Sequence, residues 1–237
     1  MELHERLDRY FYYVDNFPFL FSNNTDQAGS IIIILDRGEI EKAQECLYLI
    51  AEQEGTPKSY YDLGVVAEDE WYVVLRDWVI FPSGCKSQYI RFVNKKGRIQ
   101  GSANSSILPF HKEKVCLIKE YRHVERDWVL MTPRGFGELG LSGDQNACKE
   151  LLEETGYVAE RLWKISREDE TDLMLFLAKV DGEKGQTQHG DAREAISTLV
   201  WLDMKEFSSL IANGLITDDQ SLRFYIHLSE KGFPSDD

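Results

Sequence analysis

The stretch PRGFGELGLSGDQNACKELLEETGY, Pro133 to Tyr157, constrains this chain more than any other, because it specifies a helix at both ends together with the loop that enters it. Ser142 with Gln145 three residues later forms a capping-box pair, and Gly156 stands where a helix ends on a left-handed residue. A helix is predicted over 143–155. At 3.6 residues per turn, Ala147, Cys148, Leu151, Leu152 and Thr155 fall on one side, and Glu150, Glu153 and Glu154 on roughly the other. The first set is expected to pack and the second to form an acidic face.

Carboxylates at i, i+3 and i+4 repel one another by a few tenths of a kcal/mol per pair in a bare helix. A divalent cation removes that cost. Hard oxygen ligands at this spacing suit Mg²⁺, with Mn²⁺ as the alternative, and such ions take their remaining ligands from waters and substrate phosphates. A solvated acidic helix face is the plainer reading of the same residues. The glycines ahead of the helix, Gly135, Gly137, Gly140 and Gly143, allow backbone to approach a ligand closely.

These residues resemble the Nudix box: a Gly, five residues, a Glu, seven residues, then Arg-Glu-aliphatic-x-Glu-Glu-x-Gly-aliphatic. Gly135, Glu150, Leu151, Glu153, Glu154 and Gly156 match at the family's spacing, and Tyr157 replaces the last aliphatic. Leu141 stands where the first Glu belongs and Lys149 stands for the Arg. The resemblance implies that Glu150 and Glu154 are metal ligands, with Glu153 sharing the metal or tuning it. The two departures read as one structural change, in which Lys149 swings to water and Leu141 packs where a charge pair would sit.

The likeness extends beyond the box. Segments 78–81 and 88–93, the run Lys119 to His123, Trp128, and Pro133 to Phe136 resemble the ADP-ribose pyrophosphatase branch of the family. That branch commonly carries a Glu two residues before the Pro, where this chain has Met131. It also takes its general base from the loop after the strand that follows the box, which here offers Glu183, Asp191 and Glu194. Glu194 is the choice, because it lies just before the next strand. The leading strands of the branch often join a dimer, so a homodimer is implied. The implied fold is α+β: a Nudix-type α/β/α sandwich with a mixed sheet over 78–237, preceded by a small N-terminal α/β module over 1–77 whose role no motif names.

Hydrolysis of a diphosphate linkage needs a metal-activated water, a carboxylate to take its proton, and cations on the non-bridging oxygens. Arg122 and Arg134 are the leading candidates for phosphate, because a guanidinium binds it bidentately, and Arg91 is a third. Neutralisation of the acidic helix, or a plain surface position, is the structural alternative for these arginines. With 237 residues and a formal net charge of −14, the chain has ample core material and is a poor partner for nucleic acid or an anionic membrane. A small nucleotide needs only local Arg and Lys. Cys46, Cys85, Cys116 and Cys148 show no metal spacing, no signal peptide is read, and no apolar run approaches the roughly 18 residues of a membrane span. The expectation is a cytoplasmic protein with reduced thiols.

Around the box, helices are predicted over 3–15, 39–53, 204–212 and 218–230, the last capped by Thr217 with Gln220. Strands are predicted over 31–35, 63–66, 71–75, 107–110, 115–121, 128–131, 172–180 and 196–202. Two functions follow. One is a Mg²⁺-dependent hydrolase of a nucleoside diphosphate linked to another moiety, ADP-ribose first. The other is a nucleotide-binding sensor on the same fold with little turnover.

Overall fold

The computed structural model describes residues 3–26, 28–167, 172–182 and 195–235. Two compact units emerge, Met1–Lys95 and Lys96–Asp237. Strand β3, Tyr72–Ile80, would be cut in two by a boundary after residue 77. It pairs along its whole length with β4, Lys86–Asn94, so both strands belong to the first unit.

In that first unit β3 is the centre of a sheet, flanked on its other side by two short strands placed end to end, β1 (Ile32–Ile33) and β2 (Gly64–Glu68). The strand expected over 31–35 shrinks to two paired residues, Ile32 and Ile33 opposite Ile80 and Val79, with one further bond from the Ile34 N–H to the Trp78 carbonyl at 2.9 Å. Helices α1 (Leu3–Asn16) and α2 (Arg37–Glu54) complete the unit. Its interior is tied by buried charge. Asp77, 1% exposed, accepts from the Tyr10 hydroxyl at 2.6 Å and from the Arg91 guanidinium, and Arg6 pairs with Asp62 at 2.9 Å.

The second unit is a mixed sheet between helices, as the fold expectation had it. Its strands are β5 (Asn104–His111), β6 (Lys114–Arg122), β7 (Asp127–Met131), β8 (Arg134–Gly135), β9 (Arg161–Lys164), β10 (Leu173–Lys179) and β11 (Ile196–Asp203). The spine runs β11-β6-β5-β10-β9, with β5 and β10 parallel and the other neighbours antiparallel. Side chains alternate across it with the period of two that a strand imposes. Leu108, Phe110, Val115, Leu117, Leu175, Leu177 and Leu202 pack on one side with Phe207, Phe224 and Leu228 from helices α4 (Met204–Ala212) and α5 (Asp219–Lys231). Ile107, Cys116, Phe176 and Ala178, one residue out of step, pack on the other side with Ala147 and Leu151 of helix α3, Gly143–Thr155. Those two interleaved sets are the two cores of an α/β/α sandwich.

One irregularity of this sheet places the functional stretch. Strands β5 and β6 pair only beside their hairpin, at Phe110–Val115 and His111–Lys114. Beyond that point β7 takes over the pairing with β6, and β8 takes over the pairing with β5. The segment leading into α3 therefore fills a wedge in the sheet and delivers Arg134 and Gly135 beside the helix.

Candidate metal centre and diphosphate site

Helix α3 begins at Ser142, whose backbone N–H donates to the Gln145 side chain at 3.0 Å, and ends on Gly156 with φ +72°, as the capping residues predict. Its packing face differs from the wheel. The buried residues are Gly143, Asn146, Ala147, Glu150, Leu151, Glu154 and Thr155, whereas Cys148 and Leu152 are exposed. Glu150 and Glu154, at 7% and 3% exposure, lie on the inward face of the helix rather than on a solvated acidic one. Burying two ionised carboxylates one turn apart is costly unless positive charge and hydrogen bonds accompany them.

The wedge strand shapes the space around both. A Cβ added at Gly135 would lie 2.0 Å from the Glu150 carboxylate, so only glycine leaves room for that group. The backbone N–H of Arg134 donates to Glu154 Oε2 at 3.0 Å. Gly137 is held as tightly by its own backbone surroundings, where a Cβ would sit 1.9 Å from the Ser102 carbonyl oxygen, and its N–H donates to Asn104 Oδ1 at 3.1 Å. A Cβ at Gly143 would lie 2.3 Å from Met174 Sδ, so three of the four glycines sit at close approaches. Asn146, 1% exposed and one turn before Glu150, donates from Nδ2 to Ser105 Oγ at 2.8 Å. Among the described residues no cluster of three or more His, Cys, Asp or Glu side chains forms a complete metal cage. Two buried carboxylates with a glycine-cleared space nevertheless fit Mg²⁺, which ordinarily takes one or two carboxylates and completes its shell with waters and phosphate.

The other expected site residues divide. Glu153 is half-buried and bound to Lys149 Nζ at 2.6 Å. Lys149 also pairs with Glu138 Oε1 at 3.0 Å. Burial acts to lower the Lys149 pKa, but the hydrogen bonds it donates to Glu153 and Glu138 outweigh it and the ammonium is held well above its ordinary value. Lys149 has therefore not turned to water. Glu138, three residues before Leu141, supplies the acid that links loop to helix, and Leu141 is partly buried beside it. Arg122, at the end of β6, has a side chain 38% exposed, and among the described residues its ion pairs are long, 3.4 Å to Glu120 and 3.9 Å to Glu125. The Arg134 guanidinium is paired with Asp218, the N-cap of α5. Arg91 lies in the first unit, paired with Asp77 and donating to the Leu20 carbonyl at 2.7 Å. Glu194, with Glu183 and Asp191, lies outside the described residues. Met131, 2% exposed, packs with Ile118 and Ile196.

Sequence reasoning missed Glu138 and Asp218. Glu138 was legible as an acid near the position of Leu141, within reach of a helix start. Asp218 carried a local signal, because Asp outranks Thr as an N-cap and Ser221 follows it at the right spacing, but its pairing with a residue 84 positions earlier had none.

A mixed sheet between helices, with paired buried carboxylates on a box helix beside a glycine-rich strand, defines a Nudix domain. The family model of the NUDIX domain matches residues 103–223, just over half of the 237-residue chain, and the chain belongs to that family. A curated relative, the mouse (Mus musculus) ADP-sugar pyrophosphatase, is 29% identical over 103 residues, which are 40% of this chain and 46% of the relative. The chain thus spans about half the length of that curated relative. A solved structure titled "Crystal structure of ADP compounds hydrolase" superposes with a TM-score of 0.52 at 20% identity, covering 71% of this chain and 92% of that one, which is likeness of fold.

Proposed function

We propose that this protein hydrolyses the diphosphate bond of a nucleoside diphosphate linked to a second moiety, with an ADP-ribose-like compound as first choice, using Mg²⁺ or Mn²⁺. The observation that carries the reading is the inward placement of Glu150 and Glu154 against a strand whose Gly135 has no room for a side chain. Glu150 and Glu154 would hold the metal, which when bound supplies an acidified water and charge on the phosphate oxygens. The backbone N–H of Arg134 holds one oxygen of Glu154 and so orients its carboxylate. Arg122, weakly paired and partly exposed, is the side chain proposed to reach a phosphate. Glu153 tunes the site through Lys149, and Glu194 remains the proposed general base. The names of the curated relative and of the fold neighbour support an ADP-containing diphosphate as substrate.

The protein is proposed to act on a small soluble nucleotide as a cytoplasmic homodimer. No helix among the described residues is long and apolar enough to cross a membrane. One observation favours the sensor alternative. Met131 occupies, inside the core, the position where the ADP-ribose branch carries a Glu, so that contact to substrate is missing. The pairing of Lys149 with Glu138 weighs the other way, since the link between loop and helix is kept. A hydrolysis screen over nucleotide sugars, dinucleotides and nucleoside triphosphates with Mg²⁺ and Mn²⁺ tests the reading. The expected result is metal-dependent cleavage of a linked diphosphate to a nucleoside monophosphate and a sugar phosphate. Faster cleavage of a triphosphate than of any linked diphosphate overturns the substrate class.

A further inference from the structure

Residues 132–134 enter the site pinned from three directions. The Thr132 N–H donates to Ser221 Oγ at 3.2 Å, and that hydroxyl in turn donates to Asp218 at 2.6 Å. Pro133, whose ring fixes φ, has its carbonyl bound by the Ile107 N–H at 2.9 Å and by Ser106 Oγ at 3.3 Å. Arg134 sends its guanidinium to Asp218 and its own backbone N–H to Glu154 Oε2. Asp218 also caps α5, accepting from the Ser221 N–H at 2.9 Å. Its side chain is 9% exposed and that of Arg134 is 20% exposed. The start of α5 and the carboxylate of Glu154 are thereby joined through one residue, with Arg134 as the bridge.

We infer that Asp218 is a positioning residue for Glu154, acting through Arg134, whose guanidinium anchors the backbone rather than binding phosphate. This rests on the reading of Glu154 as a metal ligand. An ion pair at the Arg134 side chain fixes the direction of the Arg134 N–H, and that N–H orients the Glu154 carboxylate. Hydrogen-bond partners behind metal ligands typically change metal affinity 10- to 100-fold when removed.

The test is Mn²⁺ affinity of the full chain, measured by electron paramagnetic resonance without substrate, alongside thermal melting. Asp218→Asn keeps an N-cap but loses the charge, and Arg134→Gln leaves the cap untouched, so at least one variant retains the fold. Each is expected to weaken Mn²⁺ binding about 10- to 100-fold. The double variant should weaken it no further than the stronger single, because both act along one path. Glu154→Gln is the reference. If Glu154→Gln weakens Mn²⁺ while folded Asp218→Asn and Arg134→Gln bind it as the unaltered protein does, the positioning role falls and the metal reading stands. If Glu154→Gln itself binds Mn²⁺ normally, the metal reading falls and takes the positioning role with it.

Discussion

Replacing Gly135 by Ala separates the site from the fold. Gly135 does not require a left-handed backbone, so alanine is conformationally acceptable there, and its effect is purely steric. The new Cβ would lie 2.0 Å from Cδ and Oε1 of Glu150, and ordinary contact begins at 3.4 Å, so the carboxylate must retreat by about 1.4 Å. The colliding atoms are the far end of a flexible side chain, which can rotate away. Stability should therefore fall by no more than about 1–3 kcal/mol, the usual cost of inserting a methyl into packed surroundings. A catalytic group misplaced by about 1 Å loses on the order of 100-fold in rate. Gly137→Ala is the control, because its Cβ would meet the Ser102 carbonyl at 1.9 Å, and backbone there has no rotamer to yield. The assay is ADP-ribose turnover with Mg²⁺ beside urea unfolding of each variant. Gly135→Ala should fold and lose about 100-fold in turnover, and Gly137→Ala should lose the larger share of stability. If Gly135→Ala retains full turnover, or is destabilised more than Gly137→Ala, the reasoning about the Glu150 space is refuted.

Three further outcomes are expected. Since Glu138 already pairs with Lys149, the double change Leu141→Glu with Lys149→Arg should raise turnover by less than about tenfold, or 1.4 kcal/mol; a gain of about a hundredfold in steady-state kinetics means that the natural loop is catalytically degraded. Glu68 is held down to about 2 by hydrogen bonds, first from Arg9 and, against the opposing effect of burial, from Lys95 and Tyr13. A depressed carboxylate contributes stability that is present above its ordinary 4.5 and lost as pH falls through about 2, so Glu68→Gln should flatten the urea-unfolding pH profile in that window; an unchanged slope contradicts it. Asp77→Ala leaves the Arg91 guanidinium and the Tyr10 hydroxyl without their buried carboxylate, and should cost the first unit about 3 kcal/mol or more in urea melts, a loss under 1 kcal/mol contradicting the account.

Much of the fold was written in local signals. The α3 bounds follow from Ser142, Gln145 and Gly156, and Met204–Ala212 was found in full, because capping and 3.6-residue periodicity act over a few residues. The orientation of α3 was not legible, because hydropathy ranks Leu152 and Cys148 above Glu150 and Glu154. The helix turns its carboxylates inward towards a strand 15 to 20 residues earlier, and no periodicity encodes that choice. The same limit explains Arg91 and Arg134. Their residue type suits phosphate, but Asp77 and Asp218 engage them through contacts formed only on folding. The boundary after residue 77 falls inside β3, whose ladder with β4 keeps both strands in the first unit; strand pairing is non-local, and no residue near 77 marks it. Strand β9, Arg161–Lys164, was missed outright; four residues carry too few alternations to register.

The central claim is that Glu150 and Glu154 hold a metal that turns this domain into a diphosphate hydrolase. Anion-exchange analysis of the products formed from ADP-ribose by the unaltered protein and by Glu154→Gln, with Mg²⁺ and with a chelator, tests it most directly. The account predicts AMP and ribose 5-phosphate in equal amounts, abolished by the chelator and reduced by about 100-fold or more in Glu154→Gln. Binding of ADP-ribose with no metal-dependent product, or equal rates from the two proteins, would contradict it.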